Sequence, residues 1–366
     1  MECDARQGGH RSIRMKLSII VPVYNMVADG KLDYCMQSLI NQTIDDYEII
    51  AVDDKSTDSS LAVLKTWRER FPEKIKVIES PENRRQGGAK NLGLAAATGM
   101  WIGFMDSDDW AAPDMYEKLL NKAEQTGADI VGCDYTLVHE KTMDQGKYNR
   151  NNSLEQTGVW DADKQQKMIL DPGSMVIKIY HRDIFFRNEI RFPEHIFYED
   201  NAIAAITMLY AKRFEKVEEA LYYYYQHPTS TVHIVSEERC RDRMKASEIY
   251  MEECRKRGFY EKYKEEIDYK FFELFYKNTL FSYMQACKKK KLSFVREIKR
   301  KLLEQVPDFL ENQYYLQYTD AENKKLIRMH MRSDIYFYVY YELLHLYRRV
   351  RYGKLVSAKA GIGVKK

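Results

Sequence analysis

Three short apolar runs in the first third of the chain, each followed at once by polar residues, constrain its fold most. The runs end at three polar turns, which are residues 22–25, 53–56 and 106–109. Short apolar runs bounded by turn formers are typical of buried strands in a parallel sheet. Because ligands of open α/β sheets bind beyond the carboxyl ends of the strands, we expect a ligand site at these turns.

Helical patterns separate the apolar runs. Leu32, Cys35, Met36 and Leu39 recur at helical spacing after the first turn, and strand and helix patterns continue to alternate up to residue 138. This alternation predicts an α/β fold with an open, mostly parallel sheet and helices on both faces.

Composition changes along the chain and predicts its domains. Residues 139–235 are irregular, and Gly and Pro almost disappear from residue 236 until Gly353, which indicates consecutive helices. The expected segments are a disordered leader (1–15), an α/β domain (16–235), a helical C-terminal region (236–355) and a basic tail (356–366).

Charge, cysteine and hydropathy patterns exclude several classes of protein. A net charge of +3 and the lack of a recognisable binding module argue against a nucleic-acid partner. The six scattered cysteines form no CxxC pair, which favours reduced thiols. No apolar run approaches the roughly 20 residues that span a bilayer, and residues 1–14 lack the apolar middle of a secretion signal. We therefore expect a cytoplasmic protein.

Aspartates dominate the turn at 106–109. Hard divalent cations prefer carboxylate oxygens, and Mg²⁺ is commonly bound through one or two carboxylates together with substrate phosphates. Asp106 and Asp108 are two residues apart at a strand end, so they point the same way and can share a ligand. The alternative is a turn whose aspartates only cap the following helix.

Asp53 and Asp54 form a second acidic pair, after the second strand. One interpretation is a solvated strand end that leads into a helix cap. In the functional interpretation, one carboxylate accepts hydrogen bonds from a nucleobase imide or a ribose hydroxyl, each contributing about 1.5–3 kcal/mol when buried.

Five segments resemble glycosyltransferase family 2, whose members are inverting enzymes with the GT-A fold. LSIIVPVYN, EIIAVDDKSTDSS and ENRRQGGAKNLGLAAATGMWIGFMDSDDW match in order and spacing. KIYHRDIF and RFPEHIFYEDNAI are weaker matches further along the chain. The resemblance implies a metal-dependent hexosyltransferase with a nucleotide half (about 16–127) and an acceptor half (about 128–235). It implies a nucleotide-sugar donor, a UDP-sugar by preference, and a glycan or lipid-linked acceptor in cell-surface polysaccharide synthesis.

The resemblance also implies roles for individual residues. Those implied to contact the donor nucleotide are Pro22, Val23, Tyr24, Asn25, Asp53, Asp54, Asn83, Arg84, Lys90, Asp106 and Ser107. Those implied to hold Mn²⁺ or Mg²⁺ are Asp108, Asp106 and Asp109. Two positions depart from the family pattern, since Lys55 stands where Gly is common and Lys90 where Arg is common. Lys90 keeps the charge of arginine but lacks its bidentate fork.

The pair Glu199 and Asp200 resembles the acidic pair that supplies the catalytic base of the family. An acceptor hydroxyl must lose its proton as it attacks the anomeric carbon, and we assign that role to Asp200 with Glu199 in support. Aspartate is a weak base at its ordinary pKa of about 3.9. An apolar setting formed by Phe197 and Tyr198 is expected to make this carboxylate a stronger base.

Residues 333–352 form a basic, tyrosine-rich helical pattern near the C-terminus. Ile335, Tyr338, Val339, Leu343 and Leu346 share one helical face, and arginines follow. We favour packing of this face against neighbouring helices, with peripheral contact to an anionic membrane as the alternative.

Two further functions stay open at this level: a nucleotidyltransferase of related fold, or a catalytically idle glycan-binding or scaffold protein. The first lacks support because Tyr24-Asn25 stands where a Gly-rich triphosphate loop would be expected. The sequence does not specify the sugar, the linkage or the oligomeric state.

Overall fold

The computed structural model describes residues 16–143, 145–226 and 235–352. The leader predicted over 1–15 and the tail predicted over 356–366 lie outside these residues. Contacts divide the described chain into two units. The first contains residues 16–164, 173–195 and 210–226, and the second contains residues 165–172, 196–209 and 235–352.

A ten-stranded sheet forms the framework of the first unit, as far as the structure describes it. Its strands are β1 (Leu17–Val23), β2 (Tyr47–Asp53), β3 (Ile75–Glu79), β4 (Trp101–Phe104), β5 (Trp110–Ala111), β6 (Ile130–Val138), β7 (Lys147–Asn149), β8 (Gly158–Val159), β9 (Lys178–His181) and β10 (Arg213–Tyr225). The main order is β3-β2-β1-β4-β9-β6-β10-β5, with β7 beside β6 and β8 beside β10.

The predicted α/β class is confirmed, and its parallel character is concentrated in the first half of the sheet. Strands β3, β2, β1 and β4 pair in parallel, as do β6 and β10. Strand β9 runs antiparallel to both of its neighbours, and β5, β7 and β8 also pair antiparallel. The sheet is therefore parallel where the three polar turns lie and mixed elsewhere.

Helices cover both faces of β1. The helices that begin in this unit are α1 (Lys31–Ile40), α2 (Ser60–Arg70), α3 (Arg85–Ala96), α4 (Met115–Thr126), α5 (Ala162–Leu170) and α6 (Asp183–Phe186). Leu17, Ile19 and Val21 join a core with apolar residues of α1, α2 and α4. Ile20 lies on the opposite face against α3, where a Cβ on Gly93 would come within 2.4 Å of its Cγ2. Side chains alternate between the two faces of β1, so Ile20 points toward α3. A glycine at position 93 lets α3 pack closely against it.

Two segments rich in one residue type fall inside regular elements. Gln86-Gly87-Gly88 lies in the first turn of α3. Tyr222–Tyr225 forms the end of the long strand β10.

Helices make up the second unit, as predicted for the chain beyond residue 235. They are α7 (Glu199–Leu209), α8 (Glu237–Lys256), α9 (Phe259–Lys262), α10 (Lys264–Phe271), α11 (Thr279–Ala286), α12 (Leu292–Gln305), α13 (Gln313–Tyr318), α14 (Ala321–Arg332) and α15 (Asp334–Tyr352), with a π-helical turn at Phe272–Asn278. Helix α7 packs on α8 and groups with this unit, whereas the predicted boundary at 235 placed it in the α/β domain.

The prediction that the apolar face of the last helix packs against neighbouring helices is wrong. Ile335, Val339, Leu343 and Leu346 are exposed, and the buried side of α15 is formed by Phe337 and Tyr341 instead. Across the described residues, no helix combines the length and apolarity needed to cross a bilayer.

The backbone at Lys55 lies in the left-handed region, where glycine is favoured. Its φ is 63°, and its side chain is exposed. A side chain in this conformation costs about 1–2 kcal/mol because Cβ crowds the following carbonyl, and glycine avoids that cost.

Lys55→Gly is therefore expected to raise the free energy of unfolding by about 1 kcal/mol, measured by urea denaturation. Lys55→Ala removes the same charge but keeps Cβ, so it should give no comparable gain. Equal stabilisation by both substitutions would show that the charge, rather than the backbone conformation, is responsible.

Candidate active site

The three polar turns meet at one edge of the sheet. Val23 lies opposite Asp53 in the parallel β1–β2 pair, and the Asp54 N–H donates to the Val23 carbonyl at 2.8 Å. On the other side of β1, the Met105 N–H donates to the Ile20 carbonyl at 3.0 Å, just before the turn at 106–109. The predicted convergence of these turns is therefore present in the fold.

Asn25 ties the first turn to the second. Its Oδ1 accepts the Thr57 N–H at 2.8 Å, its Nδ2 donates to Thr57 Oγ1 at 3.2 Å, and its backbone N–H donates to Ser56 Oγ at 3.1 Å. Pro22 and Val23 are buried within β1, whereas Tyr24 is 43% exposed. Asn25 thus supports the turn, and Tyr24 presents the aromatic surface.

Asp54 is buried and held by the segment that precedes α3. Its Oδ1 accepts the Arg84 N–H at 2.8 Å, and its carbonyl accepts from Asn83 Nδ2 at 3.1 Å. Burial raises the pKa of the Asp54 carboxyl to about 6, with a smaller rise from Asp53, while the N–H groups of Arg84 and Arg85 act in the opposite direction. This carboxyl group can therefore titrate near neutral pH.

Asp53 has one carboxylate oxygen that no described group satisfies. Its Oδ2 accepts the Ser56 N–H at 3.2 Å, while its Oδ1 is buried without a hydrogen-bond partner in the described chain. Buried oxygens nearly always accept a hydrogen bond. This position therefore indicates a donor group supplied by a ligand.

The start of α3 connects the two acidic sites. Arg84 contacts Asp54, and two residues later Gln86 Nε2 approaches Asp106 Oδ1 at 3.5 Å. Gln86 was not among the predicted site residues, and only its place in the QGG run at the start of a helix could have indicated it. A Cβ on Gly88 would lie 2.1 Å from the Arg84 Cβ, so packing of Arg84 explains this glycine.

Lys90 lies further along α3 and is buried. Its Nζ is 5.2 Å from the ring centroid of Phe192, within the range of a cation–π contact. Asn91 fastens the same segment, because its Nδ2 donates to the Phe192 carbonyl at 2.9 Å and to Glu194 Oε1 at 3.0 Å. Helix α3 therefore anchors the weaker sequence motif that begins at Arg191.

In the turn at 106–109, two carboxylates are accessible to solvent and one is buried. Asp106 and Asp108 are partly exposed, whereas Ser107 and Asp109 are buried. Asp109 Oδ2 accepts the Tyr222 hydroxyl at 2.6 Å, and Oδ1 accepts the Tyr225 N–H at 2.8 Å. Burial raises the pKa of the Asp109 carboxyl well above its ordinary value, followed by the charges of Asp108 and Asp106.

This geometry argues against the predicted metal role of Asp109. Both of its oxygens are engaged by β10, so the side chain fastens the acidic turn to the sheet. The signal was missed because Tyr222 and Tyr225 follow Asp109 by more than one hundred residues.

Tyr222→Phe removes the hydroxyl that donates to the buried Asp109 carboxyl group. We expect the free energy of unfolding to fall by about 1–2 kcal/mol, because a buried oxygen of Asp109 loses its hydrogen-bond donor. Tyr336→Phe is the matched control, since Tyr336 is 59% exposed, and it should cost less than about 0.5 kcal/mol. Equal losses in urea denaturation would argue against a special role for the Tyr222–Asp109 bond.

The remaining two carboxylates fit a cation that a ligand helps to coordinate. Among the described residues, no three His, Cys, Asp or Glu side chains form a metal-binding group. Asp106 and Asp108 supply oxygen ligands from one turn, and Mg²⁺ is typically held by one or two carboxylates plus substrate phosphates. The donor set therefore suits a divalent cation bound together with a phosphorylated ligand.

Asp200 and Glu199 lie in the second unit, at the start of α7. Asp200 is exposed and its Oδ1 accepts the Asn201 N–H at 2.8 Å, whereas Glu199 is buried. The guanidinium groups of Arg239 and Arg243 each lie 4.4 Å from the ring centroid of Phe197 and Tyr198, respectively.

The apolar setting expected for Asp200 is therefore wrong. Arginines of α8 cover the two rings that were expected to provide it, and the Phe197 N–H donates to Asp242 Oδ2 at 3.1 Å. Arg239, Asp242 and Arg243 were not among the predicted residues, and their helical spacing on α8 is the signal for this support.

The order and direction of these strands define a known architecture. A parallel β3-β2-β1-β4 sheet, with aspartates after β2 and β4, has the architecture of a GT-A glycosyltransferase. TarS (residues 1–349) of S. aureus, solved with UDP-GlcNAc, has this fold with a TM-score of 0.62 and 19% identity, over 87% of this chain and 92% of that one.

Sequence comparison finds a family match for part of the chain. Residues 18–186 match the family model "Glycosyl transferase family 2". The uncharacterized glycosyltransferase YibD of Escherichia coli is 32% identical over 219 residues, which are 59% of this chain and 62% of that protein. The poly(ribitol-phosphate) beta-glucosyltransferase of Bacillus spizizenii is 32% identical over 57% of this chain and 32% of its own length. The matched part thus spans less than two thirds of these relatives.

Proposed function

We propose that the chain is an inverting glycosyltransferase that moves a sugar from a UDP-sugar to a glycan or lipid-linked acceptor in cell-surface polysaccharide synthesis, on the cytoplasmic side. The observation that carries this proposal is the buried Asp53–Asp54 pair beside the partly exposed Asp106 and Asp108 at one sheet edge. Support for the donor and the process comes from TarS, solved with UDP-GlcNAc, and from the Bacillus glucosyltransferase.

The acidic pair after β2 accounts for binding of the nucleoside. Asp54 as a carboxylate accepts the imide N–H of uracil, and the unsatisfied Oδ1 of Asp53 accepts a further donor such as a ribose hydroxyl. Cytosine has no imide N–H, so the pair favours uracil over cytosine. Tyr24, exposed at the end of β1, supplies a ring surface beside the base.

The turn after β4 accounts for binding of the diphosphate. Asp106 and Asp108 would hold Mn²⁺ or Mg²⁺, and such an ion neutralises charge that develops on the leaving diphosphate. Asp109 positions this turn through Tyr222 and Tyr225. Gln86 orients Asp106 from the first turn of α3. Arg84 just before α3 and Lys90 within it contribute positive charge.

Asp200 takes the proton from the acceptor hydroxyl in this proposal. The bond from the acceptor oxygen to the anomeric carbon forms as the bond to the diphosphate breaks on the opposite face, which inverts the configuration. The Asn201 N–H and the contacts of α8 with residues 197 and 198 hold Asp200 in place. Glu199 supports it from its buried position.

Donor binding should depend on pH through Asp54. Because the free carboxyl group has a pKa of about 6 and the proposed contact needs its ionised form, protons compete with UDP. The dissociation constant of UDP should be constant above about pH 7 and rise about tenfold per unit well below pH 6. Titration calorimetry from pH 5 to 8 checks this, and Asp54→Asn should flatten the profile. A profile that Asp54→Asn leaves unchanged would assign the dependence to another group.

The proposed reaction is tested by measuring nucleotide release from UDP-, GDP-, CDP- and TDP-sugars with Mn²⁺, with and without EDTA. We expect release from UDP-sugars that EDTA abolishes and that a glycan acceptor accelerates. Release that is equal for all four nucleotides, or absent for all, would contradict the proposed donor.

A further inference from the structure

The last helix of the second unit carries an apolar stripe that the described part of the chain leaves exposed. Its six members are between 50% and 60% exposed: Ile335, Tyr336, Val339, Leu343, Leu346 and Tyr347. Their spacing places them within about one third of the circumference of α15. A continuous exposed stripe of this kind marks an interaction surface.

The opposite side of α15 already fixes this helix to its unit. Phe337 is fully buried and stacks on His330 with ring centroids 4.6 Å apart, and Tyr341 packs on Phe281 at 6.1 Å. The core contacts of α15 are therefore made by residues other than those of the stripe. It faces outward on a helix whose orientation is set by other contacts.

The charge of α15 and of the sequence that follows it favours an anionic partner. Helix α15 contains two acidic residues, and both are paired within the unit: Asp334 with Lys299 at 2.5 Å, and Glu342 with Lys290 at 2.9 Å. After Glu342 the sequence contains no further acid, but it contains the seven cations Arg348, Arg349, Arg351, Lys354, Lys359, Lys365 and Lys366. Arg351 lies beside the stripe, 5.7 Å from the ring centroid of Tyr347.

We propose that this stripe docks α15 on an anionic lipid bilayer, parallel to its surface. The apolar side chains would enter the acyl boundary, the tyrosines would lie at the headgroup level, and the arginines would contact lipid phosphates. A second copy of the chain is disfavoured as the occupant, because it carries the same cations and no acid after Glu342 to pair with them. The inference concerns lipid binding alone and does not depend on the proposed transferase activity.

The test is flotation of the full chain with vesicles of phosphatidylcholine alone or with phosphatidylglycerol. We expect binding to the anionic vesicles that is at least tenfold tighter than to neutral ones and that weakens as salt rises. The double variant Val339→Glu with Leu343→Glu should lose at least tenfold in binding, with an unchanged thermal unfolding curve because both sites are exposed. The matched control is Leu154→Glu with Val159→Glu, which adds the same charge at exposed apolar positions of the first unit and should bind like the wild type.

Three results would overturn the proposal. The chain could fail to float with anionic vesicles at low salt, or the stripe variant could float as well as the control variant. Alternatively, light scattering without lipid could show a dimer that the stripe variant dissociates, which would assign the face to a second copy.

Discussion

Asp200→Asn is expected to lower the turnover of transfer by about 10²–10⁴-fold, the usual contribution of a general base. The substitution keeps the size of the side chain and its Oδ1, which accepts the Asn201 N–H at 2.8 Å, so the start of α7 should stay folded. It removes the group that takes the acceptor proton. Donor binding should be unchanged, because the nucleotide contacts are proposed for residues of the first unit.

Steady-state transfer and UDP titration of the same preparations separate these effects. Glu199→Gln is the matched control, since it neutralises the adjacent acid, and it should lower turnover less than Asp200→Asn does. If Asp200→Asn retains most of its turnover, or if it weakens UDP binding equally, Asp200 is not the base.

Asp108→Asn is expected to remove the dependence of UDP binding on divalent cations and to lower turnover by about 10²-fold or more. The turn after β4 would keep its anchor, because Asp109 still bonds to Tyr222 and Tyr225. One of the two carboxylates suited to a cation would be lost, and an amide oxygen is a weaker ligand for Mn²⁺ and Mg²⁺.

Titration of UDP with and without Mn²⁺ measures this loss directly. Asp114→Asn is the charge-matched control: Asp114 lies a few residues further on and pairs with Lys118 at 2.7 Å on the surface. The control should bind UDP with Mn²⁺ like the wild type. If Asp108→Asn also retains the full effect of Mn²⁺, the cation is held elsewhere or is not used.

Much of the sheet and of its acidic edge could be predicted, because buried parallel strands produce a local pattern. Apolar runs followed by turn residues located β1, β2 and β4, and parallel pairing then brought their ends together. The antiparallel insertion of β9 could not be predicted, because pairing between distant segments has no local signal.

The roles of neighbouring aspartates depend on partners far away in sequence. Asp108 and Asp109 are adjacent and chemically identical, yet β10 buries one of them. The setting of Asp200 is determined in the same way by Arg239 and Arg243 of α8. For α15, periodicity located an apolar stripe correctly but could not show which side of the helix would be covered.

Binding of UDP with Mn²⁺, followed by titration calorimetry, tests the central claim that Asp54 and Asp108 act on one bound nucleotide. The wild type should bind UDP at least tenfold more tightly than CDP, and EDTA should abolish most of the affinity. Asp54→Asn should remove the preference for uracil while keeping the effect of Mn²⁺, and Asp108→Asn should do the reverse. Equal binding of both nucleotides by the wild type, or no change in either variant, would contradict the claim.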